Sequence, residues 1–181
     1  IPVLDYHGDH NNVLHRHVLA ADIMDADIVI RIPGDNTFID PFLIDEVVQK
    51  YDVDPPSWDM LTTTLDFDVL GNGYPAGLGA EIYDVRFLQK LDQYCLEPQL
   101  REHPHKWAFV HDQLKTYKAP PWLDIRLNPK TPHKFSVDTL KEWEWTKRIY
   151  EALYPTNNDF RIQDILKYLG ESEEKACSIG K

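Results

Sequence analysis

The sequence predicts an α/β protein, with helices packed on the faces of a sheet. Short apolar segments alternate along the chain with segments of helical periodicity, the pattern of strands followed by covering helices. The clearest strand is the β-branched run at 28–32, which is too short for a typical helix. Pro33 and Gly34 end this strand, and Asp35 follows at its carboxyl end, where ligands bind in open α/β sheets.

Length and charge limit the classes of function. The 181 residues predict one domain at 1–170, followed by a polar tail at 171–181. The net charge of −11 argues against a general nucleic-acid or membrane surface, but it leaves room for a nucleotide that binds with Mg²⁺. The chain has two cysteines, and their spacing is not that of a metal site. It also has no apolar run long enough for a bilayer, so we expect a cytoplasmic protein.

The first half of the chain is predicted to form two strand–helix pairs and an arm. Asp40 is the expected N-cap of the second helix, with Pro41 at its first position. Residues 53–80 combine β-forming residues with glycines, and we expect them to project from the core as a hairpin. The predicted elements are strand 1–4, helix 12–24, strand 28–32, helix 41–51, a β segment at 62–70 and a loop at 71–79.

The second half is predicted to continue the alternation. A strand at 80–83 should lead into a helix from Asp84 that buries Val85, Leu88, Leu91 and Cys95. Helical pieces at 98–118, broken at Pro104, should precede strands at 122–127 and 134–137 and a last helix at 162–169. A helix from 139 has as its candidate core positions Leu140, Trp143, Ile149, Tyr150 and Leu153.

Asp138 repeats the setting of Asp35, because it also stands between a predicted strand and a predicted helix. The two carboxylates could meet at one edge of the sheet and hold a cation, and oxygen ligands suit Mg²⁺. Each aspartate also has a structural interpretation. Asp35 could bond the amides of a turn, and Asp138 could cap the helix that follows.

The histidines near the start of the chain suggest a metal site only weakly. His7, His10, His15 and His17 are close in sequence, and imidazoles suit Zn²⁺. His15 and His17, however, are two residues apart on a predicted helix and should point to different faces. A polar turn and helix surface is the preferred interpretation.

Several short motifs occur in an order that resembles a known family. They are Gly8-Asp9, Val13-Leu14 with Arg16, Arg31-Ile32-Pro33-Gly34-Asp35-Asn36, Ile39-Asp40-Pro41, Tyr74-Pro75-Ala76-Gly77-Leu78 with Glu81, Arg101-Glu102-His103, and Val137-Asp138-Thr139. This order is similar to the cytidylyltransferases of spore-coat polysaccharide type, relatives of the acylneuraminate and 3-deoxy-manno-octulosonate cytidylyltransferases. The resemblance runs over nearly the whole chain, from about Gly8 to Leu169.

The resemblance implies a Rossmann-like nucleotide-diphospho-sugar transferase fold with three α/β/α layers. It also implies transfer of CMP from CTP to a sugar or sugar acid, with release of pyrophosphate. Asp35 and Asp138 would then be the catalytic aspartates that hold Mg²⁺. The other residues that the resemblance places toward nucleotide or substrate are Arg31, Gly34, Asn36, Tyr74, Gly77, Glu81, Arg101 and His103. A homodimer through the 53–80 arm is one assembly that it allows.

The chain also departs from this family. The family's N-terminal nucleotide loop and the strand after it are absent, so we expect the chain to enter the fold partway through. Ala76 and Gly79 replace acidic residues, and Leu140 replaces a proline. The alternative function is therefore a non-catalytic nucleotide-sugar-binding or assembly protein of the same fold.

Overall fold

The computed structural model describes residues 3–53, 59–62, 77–78, 80–107, 116–118 and 134–179. Within these ranges the chain forms four strands and six α-helices, with one 3₁₀ turn at Pro104–Lys106. The strands are β1 (Ile28–Arg31), β2 (Met60–Thr62), β3 (Glu81–Asp84) and β4 (Thr116–Lys118). The helices are α1 (Val13–Met24), α2 (Pro41–Val53), α3 (Val85–Tyr94), α4 (Pro98–Glu102), α5 (Leu140–Leu153) and α6 (Ile162–Ile179).

The four strands form one mixed sheet in the order β1-β3-β2-β4. Strand β3 runs antiparallel to both β1 and β2, and β2 runs parallel to β4. In the register of β1 with β3, Arg31 stands opposite Glu81. All four residues of β3 are buried, so this strand is the centre of the fold.

Successive residues of β3 contribute to different hydrophobic cores, as expected for a strand covered on both faces. Ile82 packs with buried residues of α2, α5 and α6, whereas Tyr83 packs with buried residues of α1 and α3. Helices therefore cover both faces of the sheet. The predicted α/β class with three α/β/α layers is confirmed.

The helix boundaries follow the capping residues of the sequence. Asn12 caps α1 by accepting the amide of His15, and Asp84 caps α3 by accepting the amide of Arg86 at 2.8 Å. The Asp40 carboxylate accepts the amide of Phe42 at 3.0 Å at the start of α2, as predicted. The predicted burial of the α3 face is also confirmed, with Val85, Leu88 and Leu91 all buried.

Four predictions need correction. The predicted helical segment at 98–118 is wrong at 116–118, which form β4 because they pair with β2. Val3 and Leu4 form no strand, and both are exposed. Residues 134–137 provide only one isolated bridge, at Ser136, because they face the turn after β1 instead of a strand. The predicted arm is wrong at 60–62, which lie inside the sheet with Met60 fully buried. The rest of the β segment, the loop up to 76 and the strand at 122–127 lie outside the described residues.

The last two helices also differ from prediction. The N-cap of α5 is Thr139 rather than Asp138, and Thr139 and Glu142 form a reciprocal capping box. Leu140 and Trp143 are 73% and 51% exposed, so they are not core residues, whereas Ile149 is buried. Helix α6 continues beyond Gly170 to Ile179. The division at 170 and 171 stays a prediction.

In the part of the chain that the structure describes, no helix is both long enough and apolar enough to cross a membrane.

Candidate active site

The segment after β1 turns sharply and meets the segment before α5. The amide of Asn36 donates to the carbonyl of Pro33 at 3.1 Å, which closes the turn around Asp35. Asn36 then forms an antiparallel bridge with Ser136, and the amide of Val137 donates to the carbonyl of Asp35 at 3.0 Å. The backbone segments that carry Asp35 and Asp138 therefore lie side by side, and the meeting of their carboxylates at one cation stays a prediction.

Gly77 supports this junction by its lack of a side chain. Its φ is +97°, and an added Cβ would lie 2.2 Å from the carbonyl carbon of Phe135. A larger residue would push away the backbone that leads to Asp138. Gly34 is different, because it does not have positive φ and a Cβ there would meet nothing within 4 Å. The turn at Asp35 therefore has no steric need for its glycine.

Asp138 is exposed and forms a surface ion pair. Its carboxylate contacts Lys134, whose ammonium also lies 2.9 Å from Glu142. The side chains of Lys134 and Asp138 are 42% and 54% exposed. A bound cation at Asp138 would replace an ion pair that solvent already weakens.

The Asp35 carboxylate accepts no hydrogen bond from any residue that the structure describes. It lines an open cavity of about 440 Å³ between α1, residues 4–6 and the end of β1. Arg16, His17 and Arg31 line the same cavity. Arg16 and Arg31 give this wall two guanidinium groups, and Glu81 balances the charge of Arg31.

The polar groups of this wall have unused hydrogen-bonding capacity toward the described residues. Arg16 Nε is buried and has no hydrogen-bond partner among the described residues. His17 Nδ1 lies 2.6 Å from the carbonyl of Val13, which identifies Nδ1 as the donor and leaves Nε2 as an acceptor. Burial lowers the pKa of His17, and the charge of Arg31 lowers it further, so the ring is neutral at pH 7. The wall can therefore bind an anion through arginine and accept a hydroxyl through histidine.

Arg31 is held in place by a buried cluster around Glu81. Arg31 Nη1 donates to Glu81 Oε1 at 2.7 Å, and the hydroxyl of Tyr83 donates to the other carboxylate oxygen. His105 Nδ1 lies 3.0 Å from Oε1, close enough for an ion pair although it is not aligned for a hydrogen bond. Burial alone would raise the pKa of Glu81, but His105 and Arg31 together lower it to about 2. Glu81 is thus an anion that orients Arg31.

Arg101 and His103 lie in neighbouring networks. Arg101 bonds the side chain of Asn12 and the carbonyl of Cys95 and forms an ion pair with Asp92, so it ties α4 to α1 and α3. The ring of His103 lies 5.8 Å from that of His105, and burial lowers the pKa of His103. Their predicted contacts with substrate, like those of Gly34 and Asn36, stay predictions.

Sequence reasoning missed several members of the site. Tyr83 and His105 converge on Glu81 only in three dimensions, although His105 follows His103 closely in the sequence. Arg16 occurs in one of the family motifs, and that was the available signal. Tyr74 lies outside the described residues.

Carboxylate ligands such as Asp35 and Asp138 would suit Mg²⁺ better than a transition metal. Two carboxylates come from adjacent segments, and His15 and His17 are instead bonded to Asp92 and to the carbonyl of Val13. No group of three or more metal-ligating side chains occurs within the ranges given above. Two carboxylates fit an ion that takes its remaining ligands from water and from substrate phosphates.

Comparison with known proteins confirms the resemblance predicted from the sequence. The chain is 26% identical over 148 residues to the spore coat polysaccharide biosynthesis protein SpsF of Bacillus subtilis. It is 22% identical over 170 residues to the uncharacterized protein MJ1063 of Methanocaldococcus jannaschii. These matches cover 81% and 93% of this chain but only 56% and 64% of the relatives. No family model matches the chain.

A solved structure shows the same fold. A cytidylyltransferase from Leptospira borgpetersenii superposes with a TM-score of 0.78 at 22% sequence identity. The superposition covers 93% of this chain and 66% of that protein. The Rossmann-like nucleotidyltransferase fold is therefore confirmed.

Proposed function

We propose that this chain carries the nucleotide site of a cytidylyltransferase, which transfers CMP from CTP to a sugar or sugar acid. The observation that carries the proposal is the cavity beside Asp35, which Arg16 and Arg31 also line. The Asn36–Ser136 bridge supports it, because this bridge pairs the backbone segment of Asp35 with the segment that leads to Asp138. The similarity to SpsF and to the fold of a cytidylyltransferase supports this class of reaction.

In the proposed reaction an acceptor hydroxyl attacks the α-phosphorus of CTP and loses its proton to solvent. The bond from that phosphorus to the oxygen bridging to the β-phosphate breaks, and pyrophosphate leaves. Arg16 and Arg31 would bind phosphate oxygens, and Glu81 would hold Arg31 in position. Neutral His17 would accept a hydrogen bond from a sugar hydroxyl.

Asp35 and Asp138 would hold Mg²⁺, which would supply positive charge to the triphosphate. The Asp35 carboxylate accepts no hydrogen bond from the described residues, whereas at Asp138 the cation would replace the exposed ion pair with Lys134.

The test is pyrophosphate release from CTP and Mg²⁺ with a panel of sugar acids. Asp35→Asn should lower the rate on the order of 10²–10³-fold, because it keeps the shape of the side chain but removes its charge. Its melting temperature should stay close to that of the wild type, since isosteric surface changes alter stability by about 0.5 kcal/mol. Asp25→Asn is the matched control, an exposed aspartate at the end of α1 where asparagine is also tolerated. Unchanged turnover in Asp35→Asn would reject the assigned role.

A second measurement separates catalysis from binding alone. Mn²⁺ in place of Mg²⁺ gives an electron paramagnetic resonance signal that reports binding in the presence of CTP. Binding that depends on Asp35 and Asp138, without pyrophosphate release, would favour the non-catalytic alternative. If Mn²⁺ binds equally well to wild type and Asp35→Asn, the metal site lies elsewhere.

A further inference from the structure

A second cavity lies between the start of α2, the end of α5 and the start of α6. Its volume is about 200 Å³, and for comparison a cavity of about 150 Å³ accepts a benzene-sized molecule. Asp40 and Arg161 line it together with aromatic side chains. None of its lining residues belongs to the cavity beside Asp35.

The polar pair in this cavity is incompletely satisfied. Asp40 is 3% exposed in its side chain, and its Oδ1 accepts the amide of Phe42 while its Oδ2 has no partner among the described residues. Arg161 Nη1 is also buried without a hydrogen bond and lies 3.9 Å from Asp40 Oδ1. Leaving buried polar groups unpaired is costly, so a ligand that pairs with both would gain affinity.

Arg161 is fixed in its position by other contacts. Its Nη2 donates to Asp159 Oδ2 at 3.0 Å, and its guanidinium carbon lies 4.3 Å from the ring centre of Phe42. A donor and an acceptor are therefore offered side by side in a fixed arrangement. A hydroxyl group can donate to Asp40 Oδ2 and accept from Arg161 Nη1.

Four aromatic side chains, Phe38, Tyr150, Tyr154 and Phe160, also line this cavity. The rings of Phe38 and Tyr150 are stacked at 5.2 Å, and Phe160 meets Tyr150 edge-on at 5.0 Å. Tyr154 also lines the cavity and is 55% exposed, so it stands at the opening. The exposed ring of Tyr154 can pack against the apolar C–H face of a sugar ring.

The charge of the wall selects among ring-shaped ligands. Asp40 and Asp159 oppose the single cation Arg161, so a phosphate, sulfate or sugar acid would be repelled. We infer that this cavity binds a neutral monosaccharide, whose hydroxyls pair with Asp40 and Arg161 and whose ring packs against the aromatic side chains. This inference does not rest on the proposed function.

The test is a titration of the ¹⁵N-labelled chain with D-glucose, D-mannose, D-galactose and N-acetyl-D-glucosamine, followed by amide chemical shifts. At least one sugar should shift amides at 37–42 and 150–162 in a saturable way. Tyr154→Ala should weaken that binding about fivefold, because it removes one aromatic contact from an exposed position where folding is safe. Tyr94→Ala is the control, a 72% exposed tyrosine outside the cavity, and should bind like the wild type.

CTP is titrated in parallel and should leave these amides unchanged. The inference is overturned if no sugar shifts them at tens of millimolar, or if CTP shifts them instead. It is also overturned if Tyr154→Ala and Tyr94→Ala bind the sugar alike. The CTP titration reports on the cavity beside Asp35 separately, so failure of one site does not imply failure of the other.

Discussion

Glu81 and Asp35 are both carboxylates close to Arg31, yet the structure uses them in opposite ways. Glu81 is 4% exposed in its side chain and is contacted by Arg31, Tyr83 and His105, which hold its pKa near 2. Asp35 lines an open cavity, and none of the described residues donates a hydrogen bond to it. A buried carboxylate with all its partners supports the fold, whereas one at a strand end with few partners is available to a ligand.

The sharpest test of this difference compares one ion pair from each region. Arg31→Met leaves Glu81 as a buried charge without its main cation, and we expect a loss of about 3–5 kcal/mol of folding free energy. Lys134→Met removes the cation from Asp138 at the surface and should change stability by about 0–1 kcal/mol. Urea unfolding of both variants measures the two losses. Equal losses of folding free energy in Arg31→Met and Lys134→Met would show that the buried and the exposed ion pair contribute alike to stability.

Lowering the pH should also destabilise the chain through the Glu81 cluster. The pKa of Glu81 falls from its ordinary 4.5 to about 2 in the folded chain, so its contribution is complete above pH 4.5 and is lost as the pH falls toward 2. A depression of this size corresponds to on the order of 3 kcal/mol. The stability difference between wild type and Glu81→Gln should therefore shrink through this window in pH-dependent urea unfolding.

Glu102→Gln provides the control for the acid experiment, because the side chain of Glu102 is 46% exposed. Its stability difference from the wild type should stay small at every pH. If the curves of unfolding free energy against pH for Glu81→Gln and the wild type stay parallel below pH 4.5, the cluster does not hold Glu81 as an anion.

The smallest effect is expected at the turn beside Asp35. Gly34→Ala places a methyl group in open space at ordinary φ, and should stabilise the chain by about 0.4–1 kcal/mol by restricting the unfolded state. Gly77→Ala is the contrast and should destabilise it, because the new Cβ would meet the backbone at Phe135. Thermal melts measure the melting temperatures of the two variants against that of the wild type. Destabilisation by Gly34→Ala would mean that the turn is more tightly packed than the structure shows.

Local patterns predicted the parts of the fold that local chemistry determines. The β-branched run gave β1, the Asp40–Pro41 pair gave the start of α2, and the spacing of Val85, Leu88 and Leu91 gave the buried face of α3. The two aspartate segments are neighbours, but the strand–aspartate–helix order predicted for both holds only at Asp35, because residues 134–137 form a single bridge.

Other features depend on neighbours that no local pattern specifies. Leu140 and Trp143 share helical spacing with Ile149, but only Ile149 has core residues of other elements against it. Met60 becomes an inner residue because β3 and β4 pair on either side of its strand. His105 lies in the 3₁₀ turn Pro104–Lys106, and tertiary packing brings this turn beside Glu81.

The bridge beside Asp35 also has a consequence for the order of folding. Arg31 and Glu81 are 50 residues apart in the chain, whereas the hydroxyl of Thr37 reaches the carbonyl of Phe135 across 98 residues. Closing the longer loop loses more chain entropy, which the Asn36–Ser136 bridge, its hydrogen bonds and the burial of Phe135 have to offset. We therefore expect the junction of Asp35 and Asp138 to form after the central sheet and to open before it, so that amides at 35–37 and 135–137 exchange with solvent faster than those of β3.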